Sequence, residues 1–196
     1  MVSGELQKLL DNNNGTITNK QAAEIGISRE RLRLLVKTGD LERIATGVYI
    51  SSDAWEDKMY VAQVRKSKIV FSHDTALFLH DLTDREPLSY SVTVPYGYNT
   101  SALISDGFDV FTVKKELYEL GTAQIKNGFG HNVKTYDLER TICDCVRSRR
   151  KMDIAILTDA LKRYAKRKDK NLNILMGYAK FFRTEKQLRH YLEVLL

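Results

Sequence analysis

The sequence predicts a mixed α+β protein in two parts. A small helical N-terminal domain ends in a β-hairpin, and an α/β domain with a small sheet and a helical C-terminal third follows. Capping residues and glycines divide the first 50 residues into short helices and a hairpin. Segments rich in β-branched residues, such as SVTV and DVFTV, indicate strands in the middle of the chain. From Leu138 onward, apolar residues recur at helical spacing.

The first two helices are short and end at glycines. The first covers GELQKLLDNNN, and the asparagine run with Gly15 ends it. Thr18 caps the second helix, NKQAAEI, which places Ala22 and Ala23 on its inner face. Gly26 makes the tight turn after it.

A third helix and a hairpin complete this domain. Ser28 caps the helix and Gly39 ends it, and LERIATGVYI then alternates around Thr46-Gly47. Helix, tight turn, helix and hairpin together are typical of a winged helix-turn-helix, whose last helix reads the major groove of DNA. We therefore expect a DNA-binding domain at residues 1–53 and a second domain at residues 54–196.

The third helix has one apolar and one basic face. At 100° per residue, Leu32 and Leu35 face the core, while Arg33 and Lys37 lie on the opposite side. Long donors on an outer face suit direct base readout, and wing residues suit phosphates. The predicted DNA-binding residues are Ser28, Arg29, Glu30, Arg31, Arg33, Lys37, Arg43 and Thr46. The competing interpretations are a solvated basic surface and a helix-turn-helix that contacts only proteins.

Four segments in fixed order resemble a known family. They are TNKQAAEIGISRERLRLLVKTGDLERIATGVY, FSHDTALFLHDL, SVTVPYGYN and TYDLERTICD. Together they resemble the AbiEi-type antitoxins of type IV abortive-infection toxin–antitoxin systems, with a streptococcal source expected. The resemblance implies an autorepressor that binds inverted repeats in the promoter of its own bicistronic operon. It also implies that the second domain counters a toxin resembling nucleotidyltransferases without forming a stable complex with it. By the same resemblance, Arg29, Arg31, Arg33 and Lys37 belong to the reading helix, and Arg43, Thr46 and Gly47 to the wing.

The basic charge of the chain is concentrated at one end. The net charge is zero over residues 1–55, −2 over 56–137 and +8 over 138–196. A one-sided basic surface is typical of polyanion binding, although solvated helix faces have the same composition. We expect this second basic surface to contact DNA beside the repeat, the substrate of an RNA-handling partner or an acidic protein. Its predicted residues are Arg147, Arg149, Arg150, Lys151, Lys162, Arg163, Lys166 and Arg167.

The sequence holds no recognisable catalytic, cofactor or metal motif. His73 and His80 share one face of a predicted helix, and the favoured interpretation places them at its polar edge. Cys143 and Cys145 form a C-x-C pair with poor geometry for a disulfide and no second pair to complete a zinc site. The acid-x-Lys pattern of a nuclease is absent, as are glycine-rich nucleotide loops. We therefore expect neither an enzyme nor a cofactor-binding protein.

Two questions stay open at this level. Asp137, Glu139, Arg140 and Asp144 form either a structural ion-pair cluster or an antitoxin surface. Two alternatives to the antitoxin function are an ordinary winged-helix repressor with a ligand-sensing second domain and an antitoxin that enzymatically modifies the toxin.

The N-terminus lacks the pattern of a signal peptide, and no run of about 18 apolar residues is present, so we expect a cytoplasmic protein.

Overall fold

The computed structural model describes residues 4–195, which form helices α1–α11 and strands β1–β8. The helices are Gly4–Asn12, Asn19–Glu24, Arg29–Lys37, Lys58–Arg65, His73–Leu79, Ser101–Ser105, Lys115–Tyr118, Leu138–Arg147, Ile154–Lys166, Leu172–Phe182 and Glu185–Leu195. The strands are Thr16–Thr18, Leu41–Ala45, Val48–Ser51, Val70–Phe71, Ser91–Pro95, Asp109–Val113, Thr122–Lys126 and Asn132–Tyr136. The mixed α+β class predicted from the sequence is confirmed.

Packing divides the chain into two compact units. Unit 1 holds the residues up to Ser67 and the segment Lys126–Val133, and unit 2 holds Lys68–Ile125 and the residues from Lys134 onward. The predicted segment 1–53 corresponds to the winged helix-turn-helix alone, which ends with β3. Unit 1 extends beyond the predicted segment 1–53 and includes Lys126–Val133. The buried Asp57 side chain joins these parts, because it accepts a hydrogen bond from Asn127 Nδ2 at 2.7 Å and lies 2.7 Å from His131 Nδ1.

Unit 1 is built around a three-stranded sheet in the order β1-β3-β2, with both pairs antiparallel. The sequence predicted the β2–β3 hairpin but not β1, where only three residues, Thr16–Thr18, pair with β3. The strand was missed because the local pattern shows only a cap, whereas the strand depends on a partner some thirty residues away. The core of this unit contains Leu6, Leu10, Ile17, Ala22, Leu32, Leu35, Leu41 and Tyr49. Ala23 is exposed, so its predicted place on the inner face of α2 is wrong.

Local caps determine where these helices begin. The Thr18 hydroxyl accepts a hydrogen bond from the Gln21 N–H at 3.2 Å, and the Gln21 side chain accepts one from the Thr18 N–H at 2.8 Å, which is a capping box. Asp57 caps α4 by accepting from the Tyr60 N–H at 3.0 Å. That helix therefore starts at Lys58, and the exposed Trp55 lies before it.

Unit 2 contains a five-stranded sheet in the order β6-β5-β4-β8-β7. β4 pairs antiparallel with β5 and parallel with β8, and β5 pairs parallel with β6. β6 is thus an edge strand. The sequence did not predict β7, because TAQIK lacks the run of β-branched residues that marks β5 and β6. It did not predict the helices α6 and α7 either, because four or five residues are too few to show a helical period.

The helical C-terminal third, α8–α11, is confirmed. α8 is its centre, because all residues from Leu138 to Val146 are buried. It packs against α5, α9, α10 and α11. The apolar core of unit 2 runs from Val70 on β4 to Leu192 on α11.

Candidate nucleic-acid interface

Helix α3 is held by its apolar face and presents its basic face to solvent. Leu32 and Leu35 are 0% and 2% exposed, and both belong to the core of unit 1. Arg33 and Lys37 lie about 100° and 140° from Leu32 around the helix and are exposed, and Arg29 at the N-terminal end of the helix is exposed as well. α3 also packs against β2, the first strand of the hairpin.

The start of α3 is defined by a serine cap. Ser28 Oγ accepts a hydrogen bond from the Arg31 N–H at 3.2 Å. The backbone N–H of Glu30 and the Ser28 hydroxyl lower the pKa of the exposed Glu30 carboxyl. The N-terminal end of this helix therefore carries a carboxylate close to Arg29 and Arg33, which reduces the local attraction for phosphates.

The hairpin β2–β3 has the form of a wing. Its register shifts between Arg43 and Ala45, and Arg43 Nε donates to the Ala45 carbonyl at 3.4 Å. Thr46 at the tip is exposed. Gly47 has φ = +76°, which disfavours other residues, and its carbonyl accepts a hydrogen bond from the Asn19 N–H at 2.9 Å. This bond attaches the wing tip to the start of α2.

All the predicted DNA-binding residues of unit 1 are exposed. They lie on three consecutive features of the unit, namely the cap of α3, α3 itself and the wing. Asp40, just after α3, accepts a hydrogen bond from the Thr38 hydroxyl at 2.7 Å, and this bond and the charge of Arg31 lower the pKa of its carboxyl. Carboxylates thus accompany the basic groups, in keeping with the zero net charge of residues 1–55.

The predicted second basic surface divides into paired and exposed residues. Arg163 pairs with Asp84 and Asp159, each at 2.9 Å, and Arg167 Nη2 lies 2.7 Å from Asp169 Oδ2. The charges of Arg163 and Arg167 are therefore balanced by neighbouring carboxylates. Arg147 Nη2 lies 3.2 Å from Asp144 Oδ1, and Arg149 Nη1 donates to the Val146 carbonyl at 3.2 Å. By contrast, Arg150, Lys151, Lys162 and Lys166 are exposed.

His73 has a structural position that the sequence did not predict. It is fully buried rather than at a polar edge, with ring nitrogens 3.0 Å from Ser72 Oγ and 2.9 Å from Ser148 Oγ. Its ring stacks on Phe111 with centroids 3.5 Å apart. Burial lowers the pKa of His73 well below its usual value, so the ring is neutral at pH 7. His80 is half-buried, with Nε2 2.7 Å from the Tyr136 carbonyl oxygen.

The charged cluster at the start of α8 is a buried structural ion pair. Arg140 Nε donates to Asp144 Oδ2 at 2.9 Å, and both side chains are 0% exposed. The guanidinium lies between the rings of Tyr136 and Phe182, at 4.0 and 4.1 Å from their centroids. Of the two interpretations of this cluster, the geometry supports the structural one.

The two cysteines are free and buried. Burial raises the pKa of the Cys143 thiol to about 12 and that of Cys145 well above its usual value. Within residues 4–195, no group of three or more His, Cys, Asp or Glu side chains is placed to hold a metal ion. No helix in the same range is long and apolar enough to cross a bilayer.

Part of the chain matches a family model, and its fold is similar to that of a solved structure. Residues 5–51 match the model of a family described as "Transcriptional regulator, AbiEi antitoxin". A comparison with curated proteins finds no match. The crystal structure of the RV2827C protein from Mycobacterium tuberculosis is similar over 95% of this chain and 74% of that chain, with a TM-score of 0.62 and 13% identity. At this identity the similarity concerns the fold alone.

Proposed function

We propose that this protein represses its own operon by binding inverted repeats in the promoter. The match of residues 5–51 to the model of the AbiEi antitoxin family of transcriptional regulators supports a regulatory role. The observation that supports the proposal is the exposed basic face of α3 beside an exposed wing. The N-terminal segment, residues 1–53, acts as the reader. The protein works in the cytoplasm, where the promoter lies.

The geometry of a winged helix suggests how the reader works. α3 enters the major groove, and Arg33 and Lys37 contact base edges, since long donors there discriminate between bases. Arg29 at the N-terminal end of α3 and Thr46 on the wing contact phosphates. Inverted repeats require two copies, with half-site centres about 34–36 Å apart or at a multiple of this distance.

The second domain, residues 54–196, provides the antitoxin function. We propose that it counters a nucleotidyltransferase-like toxin functionally, without a stable complex and without a cofactor. The family match supports an antitoxin role in general terms. A ligand-sensing repressor and a toxin-modifying enzyme are the alternatives that the experiments below separate.

A gel shift with the upstream DNA of the operon tests the reader. We expect the full-length protein to prefer this DNA over random duplex, and Arg33→Ala to bind it about 10-fold more weakly, since one bidentate base contact contributes about 1–3 kcal/mol. Arg65→Ala is the matched control, because Arg65 is an exposed arginine of unit 1 on α4, outside the reader. No preference over random duplex, or equal losses in the two variants, would contradict the proposal.

Coexpression with the toxin from an unrelated promoter tests the antitoxin half. We expect full-length Arg29→Ala/Arg33→Ala to rescue growth as well as the wild type, because neutralisation then needs no repression. Loss of rescue in this variant, with its fold intact by circular dichroism, contradicts a separate antitoxin domain. The mass of the toxin after incubation with the antitoxin should be unchanged, and an added group would instead support the enzymatic alternative.

A further inference from the structure

Unit 2 contains a groove along its edge strand that sequence reasoning did not identify. Two cavities of about 430 and 390 Å³ share Thr112 on β6 and Arg147 at the end of α8. The first continues to Tyr96 and Phe181, and the second to Lys151. We call the two together the edge groove.

Five basic side chains line the edge groove. Its lining includes Lys114, Arg147, Arg150, Lys151 and Arg183, and neither cavity is lined by a carboxylate. Arg147, Arg150 and Lys151 belong to the basic segment that the sequence predicted, and the fold adds Lys114 and Arg183 from two other parts of the chain. Within residues 4–195, Arg147 is the one groove cation that forms an ion pair, and its partner is the buried Asp144. A concave surface of one sign concentrates anions from solution.

Two aromatic side chains border the same groove and are open to solvent. Tyr96 is 74% exposed and Phe181 is 62% exposed, and both line the larger cavity beside Lys114 and Arg183. Large aromatic side chains gain free energy when they are covered, and a flat apolar ring suits the face of a nucleobase. Cations and exposed rings therefore occur together at one site.

We propose that the edge groove binds a single-stranded nucleic acid, with its phosphates on the five cations and unpaired bases stacked on Tyr96 and Phe181. A positively charged groove with aromatic stacking platforms is how proteins hold single strands with little sequence preference. Duplex DNA keeps its bases stacked inside the helix, and an acidic peptide leaves the ring faces unused. This second nucleic-acid site goes beyond the promoter-binding function, which uses α3 in unit 1.

RNA and DNA strands share this chemistry, so the experiment compares both. Fluorescence anisotropy of the full-length protein is measured with labelled oligouridine, oligodeoxythymidine and an abasic strand of equal length and charge. The abasic strand retains the phosphates and lacks the bases. We expect it to bind at least about 5-fold more weakly than oligouridine, because stacking on aromatic side chains contributes about 1–3 kcal/mol per base.

Charge is tested with a pair of matched variants. Arg150→Ala/Lys151→Ala removes two cations of the groove, and Lys162→Ala/Lys166→Ala removes two exposed cations of α9 that line neither cavity. We expect only the groove variant to bind oligouridine more weakly. The slope of its log affinity against log salt concentration should be smaller by about 1.4, since each lost phosphate contact contributes about 0.7 to this slope for single strands.

Stacking is tested with the two aromatic residues. Tyr96→Ala and Phe181→Ala should each reduce oligouridine affinity about 5-fold or more and leave the affinity for the abasic strand unchanged. These are exposed positions, and circular dichroism checks the fold of each variant.

Four outcomes would overturn the proposal. Equal losses in the groove variant and the α9 variant would show attraction by general charge only. Equal affinity for the abasic strand would show an anion site without stacking, and equal affinity for polyglutamate would show a site for acidic protein segments. If Arg33→Ala lost oligouridine binding as strongly as the groove variant, the strand would lie on α3, whereas failure of the promoter gel shift alone would leave the edge groove standing.

Discussion

Replacing the buried arginine of α8 should destabilise unit 2 strongly. In Arg140→Met, the carboxylate of Asp144 loses its partner at 2.9 Å while it stays 0% exposed. The carbonyl oxygens of Leu117 and Leu120 also lose the donor that lies 2.9 and 2.6 Å away. Methionine is similar in length and fills the space between the two rings, so the perturbation is mainly electrostatic.

The magnitude follows from this burial. Removing one partner of a buried ion pair costs about 3–5 kcal/mol when the remaining charge is left without compensation. The lower end of this range applies to Arg140→Met, because Arg147 Nη2 still lies 3.2 Å from Asp144 Oδ1. With a urea dependence of about 1–3 kcal/mol/M, the unfolding midpoint should fall by about 2 M. The double variant Arg140→Met/Asp144→Leu should recover much of the loss, because an apolar pair of similar volume needs no partner charge.

The assay is urea unfolding followed by circular dichroism, with native-state hydrogen exchange of the α8 amides to assign the loss to unit 2. Arg163→Met is the matched control, since Arg163 and Asp159 form an i, i+4 pair at the same 2.9 Å distance with side chains 35% and 50% exposed. Its effect should be much smaller, because solvent screens an exposed pair. A midpoint for Arg140→Met close to that of Arg163→Met would refute the buried-pair reasoning. Normal unfolding with loss of toxin neutralisation would instead make the cluster an antitoxin surface.

Three further predictions concern unit 1 and the thiols. Burial raises the pKa of Asp57, but hydrogen bonds from His131 and Asn127 outweigh burial and lower this pKa overall. The Asp57 carboxylate therefore stabilises the fold above about pH 4, and this stabilisation is lost as the pH falls through the lowered pKa. Urea unfolding of Asp57→Asn should therefore lack this acid-dependent loss, and an unchanged pH profile would argue against it. Gly47→Ala, at φ = +76° with a new Cβ 2.8 Å from Asn19 Nδ2, should cost about 1 kcal/mol or more and weaken promoter binding in the gel shift. Since both thiols are buried with raised pKa values, a thiol reagent should modify Cys143 only after unfolding, and fast labelling of native protein would contradict this.

Much of the fold was predictable because its signals are local. The caps at Thr18 and Ser28, the turn at Gly47 and the helical spacing after Leu138 each involve residues within a few positions of one another. The outer face of α3 was predictable for the same reason, since the helical period alone separates its apolar and basic sides. Short strands such as β1 were not predictable, because their hydrogen bonds depend on partners distant in the chain.

The sequence by itself determined the winged helix-turn-helix, the exposed basic face of its third helix and the helical C-terminal third. Only the tertiary structure decided which charges are available. It buried Arg140 against Asp144, paired Arg163 with Asp84, and brought Lys114 and Arg183 together. The physical reason is that an ion pair or a groove depends on distances in space, and residues far apart in sequence have no fixed distance until the sheet and helices pack.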